Sequence, residues 1–179
     1  MENIMKFLHL MNDLKHIPRT GWVYNNVPNP ESISDHMYRM AILAMIFCPS
    51  HLDRNHAIMV SLCHDMAEAL IGDITPNDPV TPEEKHKREL NAITEMSKLL
   101  PNEIGEEIKN CWIEFEEKKT EVAQFCAQLD KIEMCIQADE YEKKFGLDLH
   151  QFFTSMPEKP ISTVKPLCEE LMKERKQTK

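Results

Sequence analysis

Glycine is scarce: the 179 residues hold four, Gly21, Gly72, Gly105 and Gly146. They stand too far apart to assemble G-x-G-x-x-G, G-x-x-x-x-G-K-[ST] or a G-x-S-x-G elbow, which excludes Rossmann, P-loop and hydrolase-elbow chemistry. None of the six cysteines, Cys48, Cys63, Cys111, Cys126, Cys135 and Cys168, stands in a C-x-x-C pair, so zinc ribbons and thioredoxin-type redox have no support. No stretch holds 18 consecutive apolar residues, and the first residues carry no basic-then-apolar leader. The expectation is a cytoplasmic protein in a reducing compartment, with no membrane partner. Positive charge is also short. With 21 Lys and Arg against 30 Asp and Glu, the net charge of -9 opposes long-range attraction to nucleic acid, so none is expected as a partner. Such a chain binds a small anion where something local supplies positive charge, and a metal ion would do so.

What is present is an ordinary globular composition, 42% hydrophobic and 28% charged, long enough for one domain with its own core. Apolar residues recur at helical spacing, as in Ile4, Phe7, Leu8, Met11 and Leu14, and proline-bearing loops separate the runs. Segment 17–31, with three prolines and Gly21, reads as an ordered loop. Ser32 or Ser34 starts a helix that runs to Pro49. Asp53 caps another, which continues through HAIMVSLCHDMAEALI to Gly72. Thr81-Pro82-Glu83-Glu84 is a start signal with a capping box. Further helices are expected over 102–118, from Thr120 to about Phe145, and over 163–176. No alternating strand pattern is visible. The fold class is all-α, a bundle of about six or seven helices.

Chemistry concentrates on few residues. His64-Asp65 interrupts an apolar helix, with Glu68 one turn on, so three polar side chains can converge. Burying two carboxylates and an imidazole without a cation is costly, and a divalent metal removes that cost. The alternative is a helix edge whose polar residues reach water. His36 opens a mostly apolar helix, and Asp130 stands in the inward-facing series Phe125, Cys126, Leu129 and Ile132–Glu133. Alone, each reads as structural or solvated. Together they offer His, His-Asp and Asp from three helices, a set able to occupy one face of a metal and leave sites open. Lys85, His86, Lys87 and Arg88 read as a solvated basic face, and the twelve methionines as core filler.

The order His36, His64-Asp65, Asp130, together with PRTGW at 18–22, PES-x-SDHMYRMA at 30–41, HDMAE-x-x-x-GDI-x-P at 64–76, EEKH at 83–86 and QLDK-x-EM at 128–134, resembles the HD-domain metal-dependent phosphohydrolases. Within that family the blocks are similar to the 5'-deoxynucleotidase branch, over roughly residues 5–172. The resemblance implies an HD domain over 1–173 followed by a C-terminal tail at 174–179. It implies an enzyme hydrolysing deoxyribonucleoside 5'-monophosphates to deoxyribonucleoside and phosphate. It also implies metal ligands at His36, His64, Asp65 and Asp130, and catalysis by Glu68 and Asp73. A second cation, where bound, would sit at Glu68, Asp73 and the Ile74 backbone. The metal would be manganese, cobalt, magnesium or similar. Arg19 is matched to the phosphate and Trp22 to the sugar. Bacterial relatives have the tryptophan directly after the arginine; here Thr20 and Gly21 intervene, which leaves deoxyribose selectivity open. The partners implied are a small nucleotide substrate and a second copy of the chain in a homodimer. Two alternatives stand beside this reading: hydrolysis of another small phosphate, such as a ribonucleotide, and an inactive metal-binding helical module. Only His86 lies where the cyclic-nucleotide phosphodiesterases of the family carry two further histidines, which disfavours their reaction.

Overall fold

The computed structural model describes residues 1–178. Among them are nine α-helices, one 3₁₀ helix and no strand, as an all-α bundle requires. The helices are α1 (Glu2–Asp13), α2 (Thr20–Tyr24), α3 (Ile33–Phe47), α4 (Arg54–Cys63), α5 (Glu68–Ile71), α6 (Pro82–Ser97), α7 (Asn102–Glu117), α8 (Glu121–Phe145) and α9 (Lys165–Thr178). The 3₁₀ helix, His150–Ser155, stands between the last two.

Four helix starts follow from local chemistry. Ser32 Oγ accepts from the Asp35 amide at 3.1 Å while the Asp35 carboxylate accepts from the Ser32 amide at 2.8 Å, a complete capping box on α3. Asp53 accepts from the Asn55 and His56 amides, and Thr120 from Ala123. Thr81 accepts from the Glu84 amide, but the Glu84 carboxylate turns to Arg88 Nε at 2.8 Å, so only half of the expected box forms.

Two expectations change, and they account for the higher helix count. The 17–31 loop contains α2, held at its base by a bridge between Pro18 and Ser32 and by the Arg19 amide on the Glu31 carbonyl. The single helix expected through His64-Asp65 is broken. α4 ends at Cys63, and the amides of Met66, Glu68, Ala69 and Leu70 bond carbonyls three residues back. That tighter winding aligns residues three apart, which sets Asp65 and Glu68 on one line toward one cavity.

α8 is the axis of the bundle. Phe125, Cys126, Leu129, Ile132, Cys135 and Ala138 along it are fully buried, and α3, α4, α7 and α9 pack around it. One core cluster, including Met40, Val60, Phe125 and Leu129, locks α3, α4 and α8 together. Another, including Trp22, Tyr141, Leu149 and Phe153, seats α2 and the 3₁₀ helix against the far end of α8. α7 meets the end of α6 closely: a Cβ on Gly105 would fall 2.2 Å from the Ser97 carbonyl oxygen. α9 continues through 174–178, the segment expected as tail. Its Arg175 is buried and donates to Glu142 through Nε at 2.9 Å and Nη2 at 2.8 Å. Lys179 lies outside the described residues. No described helix is long and apolar enough to cross a membrane.

Candidate metal centre

A cavity of about 440 Å³ opens between the α2 loop, the α4–α5 turn, α6, α7 and α8, within the size range of small-molecule sites. Arg19, Trp22, His64, Asp65, Glu68, Asp73, Ile74 and Asp130 line it. His36 lies behind them with no exposure at all.

Four of these residues meet. His36 Nε2 is 3.3 Å from His64 Nε2, 3.4 Å from Asp130 Oδ1 and 3.8 Å from Asp65 Oδ2, while His64 Nε2 is 3.0 Å from Asp65 Oδ2. α3, the α4–α5 turn and α8 each contribute, so the convergence depends on the core that binds those elements. Both imidazoles are oriented from behind. His64 Nδ1 donates to the Ser61 carbonyl at 2.8 Å, and His36 Nδ1 to Glu133 Oε2 at 2.5 Å. Each ring therefore points Nε2 into the cluster, His36 toward His64, Asp65 and Asp130, and His64 toward His36 and Asp65. Such a set repels itself unless positive charge lies among it.

The ionisation of the cluster reflects that demand. Burial and Arg19 act to discharge His36, yet Glu133 and Asp130 outweigh them and push its pKa up to about 9. Burial opposes ionisation of Asp65 and Asp130 too. His64 and Arg19 beside Asp65, and His36 and Lys131 beside Asp130, hold both below the ordinary carboxylate range. Imidazole nitrogens and carboxylate oxygens 3.0–3.8 Å apart have the chemistry and spacing of atoms sharing one coordination sphere with bonds of about 2 Å. His36, His64 and Asp65 form a group that fits a divalent cation, and Asp130 adjoins it through His36.

The other predicted residues surround this centre. Arg19 Nη1 donates to Asp65 Oδ2 at 3.1 Å, leaving the rest of its guanidinium fork for an anion. Glu68 is buried, and its Oε2 has no hydrogen-bond partner. Burial, with Asp65 and Asp73 nearby, pushes its pKa well above the ordinary carboxylate range. Asp73 anchors the arginine loop: its Oδ2 accepts from the Thr20 amide at 2.6 Å, and its carbonyl accepts from Thr20 Oγ1 at 2.8 Å. The Ile74 carbonyl accepts from Lys85 Nζ at 2.8 Å. Trp22 lines the cavity although almost wholly buried, its indole N–H donating to Glu31 Oε1 at 2.9 Å.

Residues 11–167 match the family model described as HD domain. The chain belongs to the HD-domain family. The bovine protein named 5'-deoxynucleotidase HDDC2 is 48% identical over 140 residues, which cover 78% of this chain and 68% of that one. The budding-yeast protein named 5'-deoxynucleotidase YGK1 is 38% identical over 177 residues, 96% of this chain and 82% of that one. The PH0347 protein of Pyrococcus horikoshii OT3 shares the fold with a TM-score of 0.78 at 26% identity, over 98% of this chain and 99% of that one.

This HD domain also uses residues that the sequence reading left unassigned. Glu133, fully buried, joins His36 to Arg39, whose Nε donates to Glu133 Oε1 at 2.7 Å. Glu133 and Glu31 both flank His36, but the hydrogen bonds of Glu133 to His36 and Arg39 satisfy that second grouping without an ion. The available signal was the position of Glu133, three residues after Asp130 in the same inward series. Lys85, read as part of a solvated face, lines the cavity instead, whereas His86, Lys87 and Arg88 are exposed.

Proposed function

We propose that this HD-domain protein is a metal-dependent 5'-deoxynucleotidase that converts deoxyribonucleoside 5'-monophosphates to deoxyribonucleoside and inorganic phosphate. The observation that carries the reading is the meeting of His36, His64 and Asp65, with Asp130 against His36, beside a partly free arginine at one cavity. The names of the curated relatives, which share up to 48% identity, support the same substrate class.

His36, His64, Asp65 and Asp130 hold the cation. When bound, it supplies positive charge and Lewis acidity. Arg19 receives two phosphate oxygens with its planar fork, oriented by Asp65 at one side and by the Thr20–Asp73 bonds at its base. Glu68 accepts the proton of the attacking water at Oε2, the oxygen without a partner, and its raised proton affinity suits it to that role. Water oxygen forms the new bond to phosphorus as the P–O5' bond breaks, and O5' takes up a proton, so one water is consumed per phosphate released. Trp22 borders the sugar and leaves its hydrogen-bonding edge on Glu31. A second cation at Glu68, Asp73 and Ile74 would share the Ile74 carbonyl with the Lys85 ammonium, a like-charge contact, so one cation is the simpler loading.

A homodimer in the cytoplasm completes the proposal. Tyr38, Met45 and Ile46 expose apolar surface along α3, which supports a second copy as partner, and six free thiols support a reducing compartment. The test is phosphate release from dAMP by protein loaded with manganese, alongside AMP. Release that survives chelation, His64→Ala and Asp65→Ala removes the mechanism, and equal rates on AMP remove the deoxyribose preference.

A further inference from the structure

The cavity has two rims of opposite character. Lys85, Glu89, Glu116 and Lys118 on the α6–α7 side carry formal charge, whereas Asn25, Gln151 and Phe152 on the α2 and 3₁₀ side carry none. With a phosphate assigned to Arg19 and the four donors, a neutral planar base remains to be placed. A charged rim loses solvation when such a ring covers it, while an aromatic face and amide groups gain contacts and hydrogen bonds. The uncharged rim is the one that suits a base.

That rim is built, and its parts come from distant segments. Phe152 leans on Trp22 with ring centroids 4.3 Å apart, and a Cβ at Gly21 would press to 3.4 Å from its ring. Asn25 Nδ2 donates to the Gly21 carbonyl at 2.7 Å, which fixes its amide on the backbone of α2. Its Oδ1 then accepts from Gln151 Nε2 at 2.7 Å, across 126 residues of sequence. The chain thereby orients the Gln151 amide: the nitrogen faces Asn25, and Oε1 is left as an acceptor at the cavity mouth.

We propose that Gln151 is a specificity-determining residue for the base, its Oε1 accepting from the exocyclic amine of adenine or cytosine, with Asn25 as its support and Phe152 against the base. Thymine presents a carbonyl oxygen in place of that amine, so acceptor faces acceptor. The proposal rests on the reading of the cavity as a nucleotidase site.

The experiment compares kcat/KM for dAMP, dCMP and dTMP with manganese-loaded wild type, Gln151→Met and Asn25→Ala. Gln151 is exposed, so its replacement leaves the fold intact, which circular dichroism checks. Wild type is expected to favour dAMP and dCMP over dTMP by about five- to tenfold, the lower part of the range for base-reading amides because this rim is open to water. Gln151→Met is expected to bring the ratio near one, the loss falling on dAMP and dCMP, and Asn25→Ala to lower it part of the way. Equal rates on all three substrates in wild type, or a preference that Gln151→Met preserves, would overturn the proposal while leaving the nucleotidase reading standing. Release from none of the three removes that reading and this proposal with it.

Discussion

Two sets of carboxylates lie in and behind one cavity, and their proton affinities are driven in opposite directions. Asp65, Asp130 and Glu133 are held low, whereas Glu68 is pushed well up and Glu89 reaches about 7. Burial raises every one of them, and it prevails only where neighbouring positive charge fails to offset it. Company separates them. The low set faces His36, His64, Arg19, Lys131 or Arg39, while Glu68 faces Asp65 and Asp73 as well, and Arg19 and Lys85 do not offset them and burial together. A carboxylate kept ionised serves as a cation ligand or as the support of one, and a carboxylate of raised proton affinity serves to accept a proton. In the proposed mechanism, one helical site thus divides the labour of like residues by the charges set beside each.

The sharpest way to test that division is Glu68→Gln. It should lower kcat for dAMP by about 10²–10⁴-fold, the range for loss of a general base, while manganese still binds in a calorimetric titration. Loss of manganese binding together with activity would place Glu68 in the low set after all. Glu133→Gln attacks the other set. It leaves His36 without its anionic support and should weaken manganese affinity by about 10–100-fold, with restoration by Glu133→Asp only where the shorter carboxylate still reaches Nδ1. Unchanged affinity would mean that packing alone holds the ring.

Smaller effects follow in stability. The Glu89 carboxyl is held at about 7 by burial against an ordinary value of 4.5, so the folded state binds its proton more tightly than the unfolded chain. The contribution is complete below pH 4.5 and is lost as the pH rises to about 7. Glu89→Gln, neutral throughout, should raise Tm at pH 8 and leave it unchanged near pH 4. A Tm lowered at pH 8 would show that the ion pair with Lys85 outweighs burial. Asp53→Ala, remote from both sets, removes a side chain that caps two amides and should cost about 1 kcal/mol in thermal unfolding, with manganese affinity intact.

The caps at Ser32, Asp53, Thr81 and Thr120 were readable because a cap is a contact between residues two or three apart. The ordered set His36, His64-Asp65, Asp130 was readable because polar residues stood in otherwise apolar helical runs. Less legible was the α4–α5 break. Its sequence keeps a helical pattern, and the tighter winding shows only in the bonds of Met66, Glu68, Ala69 and Leu70 to carbonyls three residues back. Lys85 was misread because its neighbours His86, Lys87 and Arg88 are solvated, and only the path of the 72–80 loop shows which lysine turns inward.

By itself, then, the chain's order of residues determined an all-α bundle, its helix starts and the residue types of a metal centre. Those properties depend on periodicity and on bonds within one helical turn. Tertiary structure decided which nitrogen each histidine offers, that Glu133 stands behind His36 across 97 residues, and that Asn25 meets Gln151 across 126. Such contacts come from the packing of α2, α3 and the 3₁₀ helix around α8, and no local pattern encodes how separate helices face one another.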